Sequence, residues 1–177
     1  QLLSARNTAV PLPTAANGES TAPWISADGR FVLFSSSAND LVTNDNGYLG
    51  LDAFLHDRVD KTTRLVSVNT NGSGANGYSV GEQVSTNGRF VLIQSDASDL
   101  LPGDTNEVSD IFVRDLQLAA NLQVSVAADG GWGNGAATEP VMTPDGRWVA
   151  FVSAATNLVA GDTNGIPDLF LRDLVNG

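Results

Sequence analysis

The stretch Ser26-Ala27-Asp28-Gly29-Arg30-Phe31-Val32 decides the fold, because it occurs three times. It returns as Ser85-Thr86-Asn87-Gly88-Arg89-Phe90-Val91 and as Thr143-Pro144-Asp145-Gly146-Arg147-Trp148-Val149, at offsets of 59 and 58 residues. In each copy an Asp-Gly or Asn-Gly pair separates two short apolar runs, a strong local signal for a β-hairpin. Glycine suits that turn because it reaches positive φ without a steric penalty.

A second block keeps the same period. Asp52-Ala53-Phe54-Leu55-His56-Asp57 recurs as Asp110-Ile111-Phe112-Val113-Arg114-Asp115 and as Asp168-Leu169-Phe170-Leu171-Arg172-Asp173. Each repeat then reads as four short strands. The first leads into the turn, as in Pro23–Ser26. The second leaves it: Phe31–Ser35, Phe90–Gln94 and Trp148–Val152. The third is Ala53–Asp57, Ile111–Asp115 or Leu169–Asp173, and the fourth is Arg64–Val68 or Leu122–Val126. Four antiparallel strands per 40–60 residues is the pattern of a β-propeller blade. No segment has helical apolar spacing over three turns. The predicted class is all-β, with blades at about 23–79, 80–138 and 139–177.

The third repeat stops before a fourth strand, and Gln1-Leu2-Leu3-Ser4 resembles Arg64-Leu65-Val66-Ser67. The chain therefore reads as three four-stranded blades in a circularly permuted frame, with an N-terminal strand over 1–8. Propellers close with four to eight blades, so three are too few. The expectation is a homodimeric six-bladed ring in which each chain lends its N-terminal strand to the other. The alternative is that the chain is part of a larger propeller.

The block Pro23-Trp24-Ile25-Ser26-Ala27-Asp28-Gly29-Arg30-Phe31-Val32-Leu33-Phe34 fits the pattern P-x-x-S-x-D-G-R-x-V-x-F. In this the chain resembles the TolB-type β-propeller repeats of bacteria, also called PD40 or WD40-like repeats. The resemblance covers essentially the whole chain. It implies a binding or interaction platform in an exported bacterial protein, some relatives being accessory domains of serine peptidases.

Composition narrows the function. The 177 residues carry 9 basic and 20 acidic side chains, a net charge of −11, and no cysteine. Nucleic acid is excluded as a partner because phosphate binding needs clustered Lys and Arg, and the only lysine is Lys61. An anionic membrane surface would repel the chain, and no apolar stretch approaches the ~20 residues of a membrane helix. Without cysteine there are no disulfides and no thiolate chemistry. The acidic, Lys-poor surface leads us to expect a periplasmic or extracellular bacterial protein.

The most chemical feature is an acidic loop between second and third strands. It reads Gly103-Asp104-Thr105-Asn106-Glu107-Val108-Ser109-Asp110, then Gly161-Asp162-Thr163-Asn164-Gly165-Ile166-Pro167-Asp168, and in the first repeat Asn44–Asp52. Alternating Asp and Asn oxygens suit a hard cation. The candidate calcium ligands are Asp45, Asp52, Asp104, Asn106, Asp110, Asp162, Asn164 and Asp168. The competing reading is a set of Asx-turns that shape the loops without metal. The Asp-Arg neighbours, such as Arg114-Asp115, are expected to hydrogen-bond between blades.

Other features are weaker. His56, the only histidine, reads as a solvated strand residue, and no Ser-His-Asp set or G-x-S-x-G motif exists. Trp132 and Tyr78 are candidate exposed aromatics for a carbohydrate or peptide ligand. Trp24 reads as inter-blade packing or channel lining, and Trp148 as core. The expected role is a non-enzymatic scaffold. The alternatives are a carbohydrate- or peptide-processing enzyme working at the channel, which would need paired carboxylates, and a purely structural or designed array.

Overall fold

The computed structural model describes residues 3–4 and 15–176. The described chain is all-β, with eleven strands and no helix. The first sheet contains β1 (Ser20–Ile25), β2 (Phe31–Ser36), β3 (Asp52–Asp57) and β4 (Thr62–Leu65). The second contains β5 (Ser79–Val84), β6 (Phe90–Ser95), β7 (Asp110–Asp115) and β8 (Ala120–Gln123). The third contains β9 (Ala137–Met142), β10 (Trp148–Ser153) and β11 (Asp168–Asp173). Strands follow chain order within each antiparallel sheet, and the third sheet has three strands among the described residues. The predicted N-terminal strand over 1–8 lies outside the described residues except at Leu3 and Ser4.

The turn chemistry is the same in all three copies. Ser26 Oγ donates to Asp28, and Asp28 accepts the Arg30 amide at 3.0 Å. Ser26 Oγ also accepts the Phe31 amide at 2.9 Å. Ser85, Asn87 and Arg89 repeat these bonds, as do Thr143, Asp145 and Arg147. The side chains thus satisfy turn amides that the ladder leaves unpaired. The turn arginines then reach Asp57, Asp115 and Asp173 at 2.6–2.8 Å, at the far end of the third strand. Each guanidinium also lies over the adjacent aromatic ring, 4.7–5.1 Å from its centroid.

These pairs correct the sequence reading. The Arg-Asp bonds lie within a blade: Asp115 takes Arg89, and Arg114 donates to Asn121 of the neighbouring strand. The fourth strands also start two residues earlier than predicted, at Thr62 and Ala120. Past Leu65 the pairing continues through Val66 N–H to the Ala53 carbonyl, and then through the Ser67 hydroxyl, which accepts the Ala53 amide.

Sheets stack face to face through alternating side chains. Leu33, Ala53, Leu55 and Val66 of the first sheet meet Val84, Val91, Ile93 and Phe112 of the second in one buried cluster. Leu92, Ile111, Val113 and Val124 of the second meet Met142, Val149 and Phe151 of the third in another. Trp24 packs against the first cluster, so it belongs to the inter-blade contact. Gln83 adds a polar clasp, its amide exchanging two hydrogen bonds with the Met142 backbone at 2.8 and 2.9 Å.

Candidate functional site

The two edges of the stacked sheets differ in loop length. One edge carries the tight turns, where Arg58 donates to the Gly29 carbonyl. The other carries the acidic loops between second and third strands and the Gly/Asn-rich connections between blades. The two loop types are tied together there. Asn46 donates to the Gly74 and Ala75 carbonyls, and Asn106 to the Gly133 carbonyl. Asn69 and the Asn76 amide both bond to Asp99 in the next blade, at 2.9 Å.

Each acidic loop ends on an aspartate at the start of the third strand. Asp110 is fully buried and accepts Ser125 Oγ at 2.6 Å and Asn106 Nδ2 at 2.7 Å. Asp52 is buried and accepts Ser67 Oγ at 2.7 Å. Asp168, at the half-exposed third copy, accepts Asn164 Nδ2 at 2.8 Å. Burial pushes the Asp52 carboxyl up to about 7, with Asp45 and Asp99 adding repulsion. Burial also raises Asp110, Asp104 and Asp45, each against hydrogen bonds that oppose the shift.

The eight candidate ligands are therefore distributed as three separate loop clasps. Asp104 and Asp45 accept loop amides two residues on, Asn106 to Asp104 and Gly47 to Asp45, the geometry of Asx-turns. Asn106 and Asn164 direct their amide nitrogens into the carboxylates and accept loop amides at their oxygens. Asp162 has a buried oxygen, Oδ1, without a hydrogen-bond partner. Among the described residues, no group of three His, Cys, Asp or Glu side chains gathers in a way that could hold a cation. Two open depressions adjoin these loops: one of about 550 Å³ bordered by Asp162, Asn164 and Asp168, and one of about 470 Å³ bordered by Asp96, Ser98, Asp104, Asn106 and Glu107.

Three other candidates change character. His56 is buried, with Nδ1 against Thr63 Oγ1 at 2.9 Å and Nε2 enclosed without a partner. Burial lowers its pKa, so it is a neutral packing residue instead of a solvated one. Trp132 is half-buried against Phe112, with ring centroids 6.1 Å apart, while Tyr78 is exposed as expected. Trp148 is half-buried, like its counterpart Phe90 and unlike Phe31, which is buried. Asn46 was not among the candidates because the longer first loop aligns Asp45 and hides it; its amide fills the role of Asn106.

No protein-family model matches the sequence, and no curated protein matches it. Solved structures do resemble it. The TolB structure from Agrobacterium tumefaciens is similar over 92% of this chain and 44% of its own, with 21% identity and a TM-score of 0.54. TolB from Acinetobacter baumannii is similar over 92% of this chain and 31% of its own, at 18% identity and a TM-score of 0.50. The tricorn protease is similar over 89% of this chain and 14% of its own, at 14% identity and a TM-score of 0.52. The chain thus spans less than half the length of each. These likenesses establish a TolB-like propeller fold.

Proposed function

We propose that this chain is a non-enzymatic interaction module of a bacterial envelope protein, exported from the cytoplasm, that presents its long-loop edge to a partner protein. The observation that supports this is the cross-bonding of that edge: Asn46, Asn69, Asn76 and Asn106 fix successive loops to one another. Loops held rigidly on a sheet scaffold suit recognition, because little conformational entropy is lost on binding. The exposed acidic side chains along the edge, Glu107 and Asp129, favour a partner with a basic face. A propeller closed to six blades would continue the same edge around a ring. His56 is not placed to act as a base, since it is enclosed and held by Thr63.

Immobilised protein is expected to retain a partner from a bacterial envelope extract. Retention should be lost with Glu107→Lys and Asp129→Lys, and kept with Lys61→Glu on the opposite edge. No retention, or retention indifferent to the edge altered, overturns the proposal.

A second reading, in which calcium binds the acidic loops, has one observation in its favour: the depression bordered by Asp96, Asp104 and Glu107. It requires a calcium-dependent rise in melting temperature that Asp104→Asn abolishes. Equal melting in calcium and in EDTA removes it.

A further inference from the structure

The sequence contains eight Asn-Gly steps. This dipeptide is the least hindered place for a backbone to react with its own side chain. Glycine has no Cβ to shield its amide nitrogen, and asparagine is one of the thermolabile residues. The reaction needs a carboxamide free to turn onto the next amide, and space for the ring that forms. The fold withholds these conditions from nearly every step.

Six of the carboxamides are each held by two or more hydrogen bonds. Asn17 and Asn39 exchange a pair, the Asn39 amide donating to Asn17 Oδ1 and Asn17 Nδ2 to Asn39 Oδ1. Asn76 is held in the same manner by Ser98, and Asn134 by Thr156. Asn46 and Asn164 donate through Nδ2 and accept a loop amide at Oδ1. Asn87 accepts the Ser85 hydroxyl and the Arg89 amide in its tight turn. Space is short as well at four of these steps, where a Cβ on Gly18, Gly77, Gly88 or Gly135 would fall within 2.8 Å of a neighbour. Asn176 donates to Asp173, and Gly177 beyond it lies outside the described residues.

Asn71 differs on both counts. It is exposed, and among the described residues its carboxamide has no hydrogen-bond partner. A Cβ at Gly72 would meet nothing within 4 Å. Asn69 alone holds the turn: its carbonyl accepts the Gly72 amide at 3.1 Å, and its Oδ1 accepts the Asn71 and Ser73 amides at 3.0 and 3.1 Å. In the next repeat the counterpart of Asn71-Gly72 is Asp129-Gly130. Gly130 has φ +86° against +84° for Gly72, and its amide donates to the Ala127 carbonyl as that of Gly72 does to Asn69. The turn therefore accommodates an aspartate at this position.

We infer that Asn71 is a site of spontaneous covalent modification, a deamidation that gives the first inter-blade connection the carboxylate that the second already has. The Gly72 amide parts from the Asn69 carbonyl, loses its proton to hydroxide, and its nitrogen attacks Asn71 Cγ. The new C–N bond closes a cyclic imide. The Cγ–Nδ2 bond breaks, and Nδ2 leaves as ammonia with a proton from water, which regenerates the hydroxide. Water then opens the imide at one of its two carbonyls, leaving aspartate or isoaspartate. Water is the only co-reactant consumed. Either product adds a negative charge to the long-loop edge, where Asp129 stands. The isoaspartyl form also lengthens the main chain by a methylene, which draws the Asn71 and Ser73 amides away from Asn69 Oδ1. Asn69 Nδ2 reaches Asp99 of the next blade, so the change bears on a tie between blades.

The test follows folded protein in mildly alkaline solution by tryptic peptide mapping. The peptide 65–89 carries Asn71, Asn76 and Asn87 together, so fragmentation compares them within one molecule. Conversion at Asn71 is expected to run about tenfold or more ahead of the six held asparagines, whose side chains must first give up hydrogen bonds. In concentrated urea that lead is expected to collapse, because every step is then free. Asn71→Gln is expected to lose the acidic form that isoelectric focusing shows accumulating in the parent. Conversion at Asn71 no faster than at the held asparagines, a lead equally large in urea, or an acidic form that accumulates as fast in Asn71→Gln each overturns the inference.

Discussion

Gly88→Val is expected to cost about 4 kcal/mol and to lower the melting temperature by roughly 8–16 °C, near the limit that a domain of this size tolerates. Two effects add. Gly88 sits at φ +71°, where a β-branched residue is strained by about 1–2 kcal/mol. Its new Cβ would also fall 2.2 Å from the Phe31 ring, which is 6% exposed and has no free space to enter. Overpacking of that kind costs typically 1–3 kcal/mol, with the larger values where backbone must shift. Gly29→Val supplies the control. It has nearly the same dihedral angle, φ +69°, and its Cβ would meet only the flexible end of Arg58. In the protomer it should lose only the backbone contribution, about 1–2 kcal/mol. The difference between the two, read by thermal or urea unfolding, measures the inter-blade notch itself. Equal losses would mean that the aromatic-glycine contact contributes nothing.

The architecture was legible because its signals are local. Asp28-Gly29, Asn87-Gly88 and Asp145-Gly146 state the turn type within two residues, and the 58-residue period aligns them. The sheet order then follows from short connections. The site was less legible because its partners are remote in sequence. Asp110 looks like a cation ligand when read beside Asp104 and Asn106. Its serine partner stands 15 residues later, on the far side of a strand pair. Asn106 likewise bonds a carbonyl 27 residues away. The Asp-Arg pairs misled for the opposite reason. Arg114 and Asp115 are adjacent in the chain, but adjacent strand residues point to opposite faces, so each had to find another partner. Trp132 and His56 were misjudged because their cover comes from packing contacts that a lone residue type does not announce. His56 replaces Arg114 and Arg172 in the series, and only the fold reveals that this position is enclosed in the first blade.

Burial of Asp52 makes stability fall as pH rises through the neutral range, and this is the second large effect. Its carboxyl holds its proton up to about 7 in the folded chain and releases it near 3.8 when unfolded. Between these values the folded state binds more protons, so the slope of unfolding free energy against pH is negative. About three pH units at 1.36 kcal/mol each set an upper bound of about 4 kcal/mol lost between pH 4 and pH 8. Asp110, also raised by burial, acts in the same direction. Two groups of residues oppose it. Asp57, Asp115 and Asp173 are held below the ordinary carboxylate range by Arg30, Arg89 and Arg147, so their contribution is present above pH ~4 and lost as pH falls below it. His56, lowered by burial, loses its contribution as pH drops below about 6.5. Stability should therefore peak in mildly acidic solution, between the arginine-paired aspartates and Asp52. Asp52→Asn keeps an oxygen to accept the Ser67 hydroxyl while removing the ionisation. It is expected to be more stable than the parent at pH 8 and to flatten the alkaline decline; adding Asp110→Asn should flatten it further, the residual decline coming from Asp45, Asp104 and Glu82, which burial also raises. Urea midpoints across pH 4–8 decide the matter, and a parent whose stability rises steadily to pH 8 would show that Asp52 stays ionised in its clasp. That result would point back to the loops as a place where a buried negative charge is compensated, which is the condition a bound cation would satisfy.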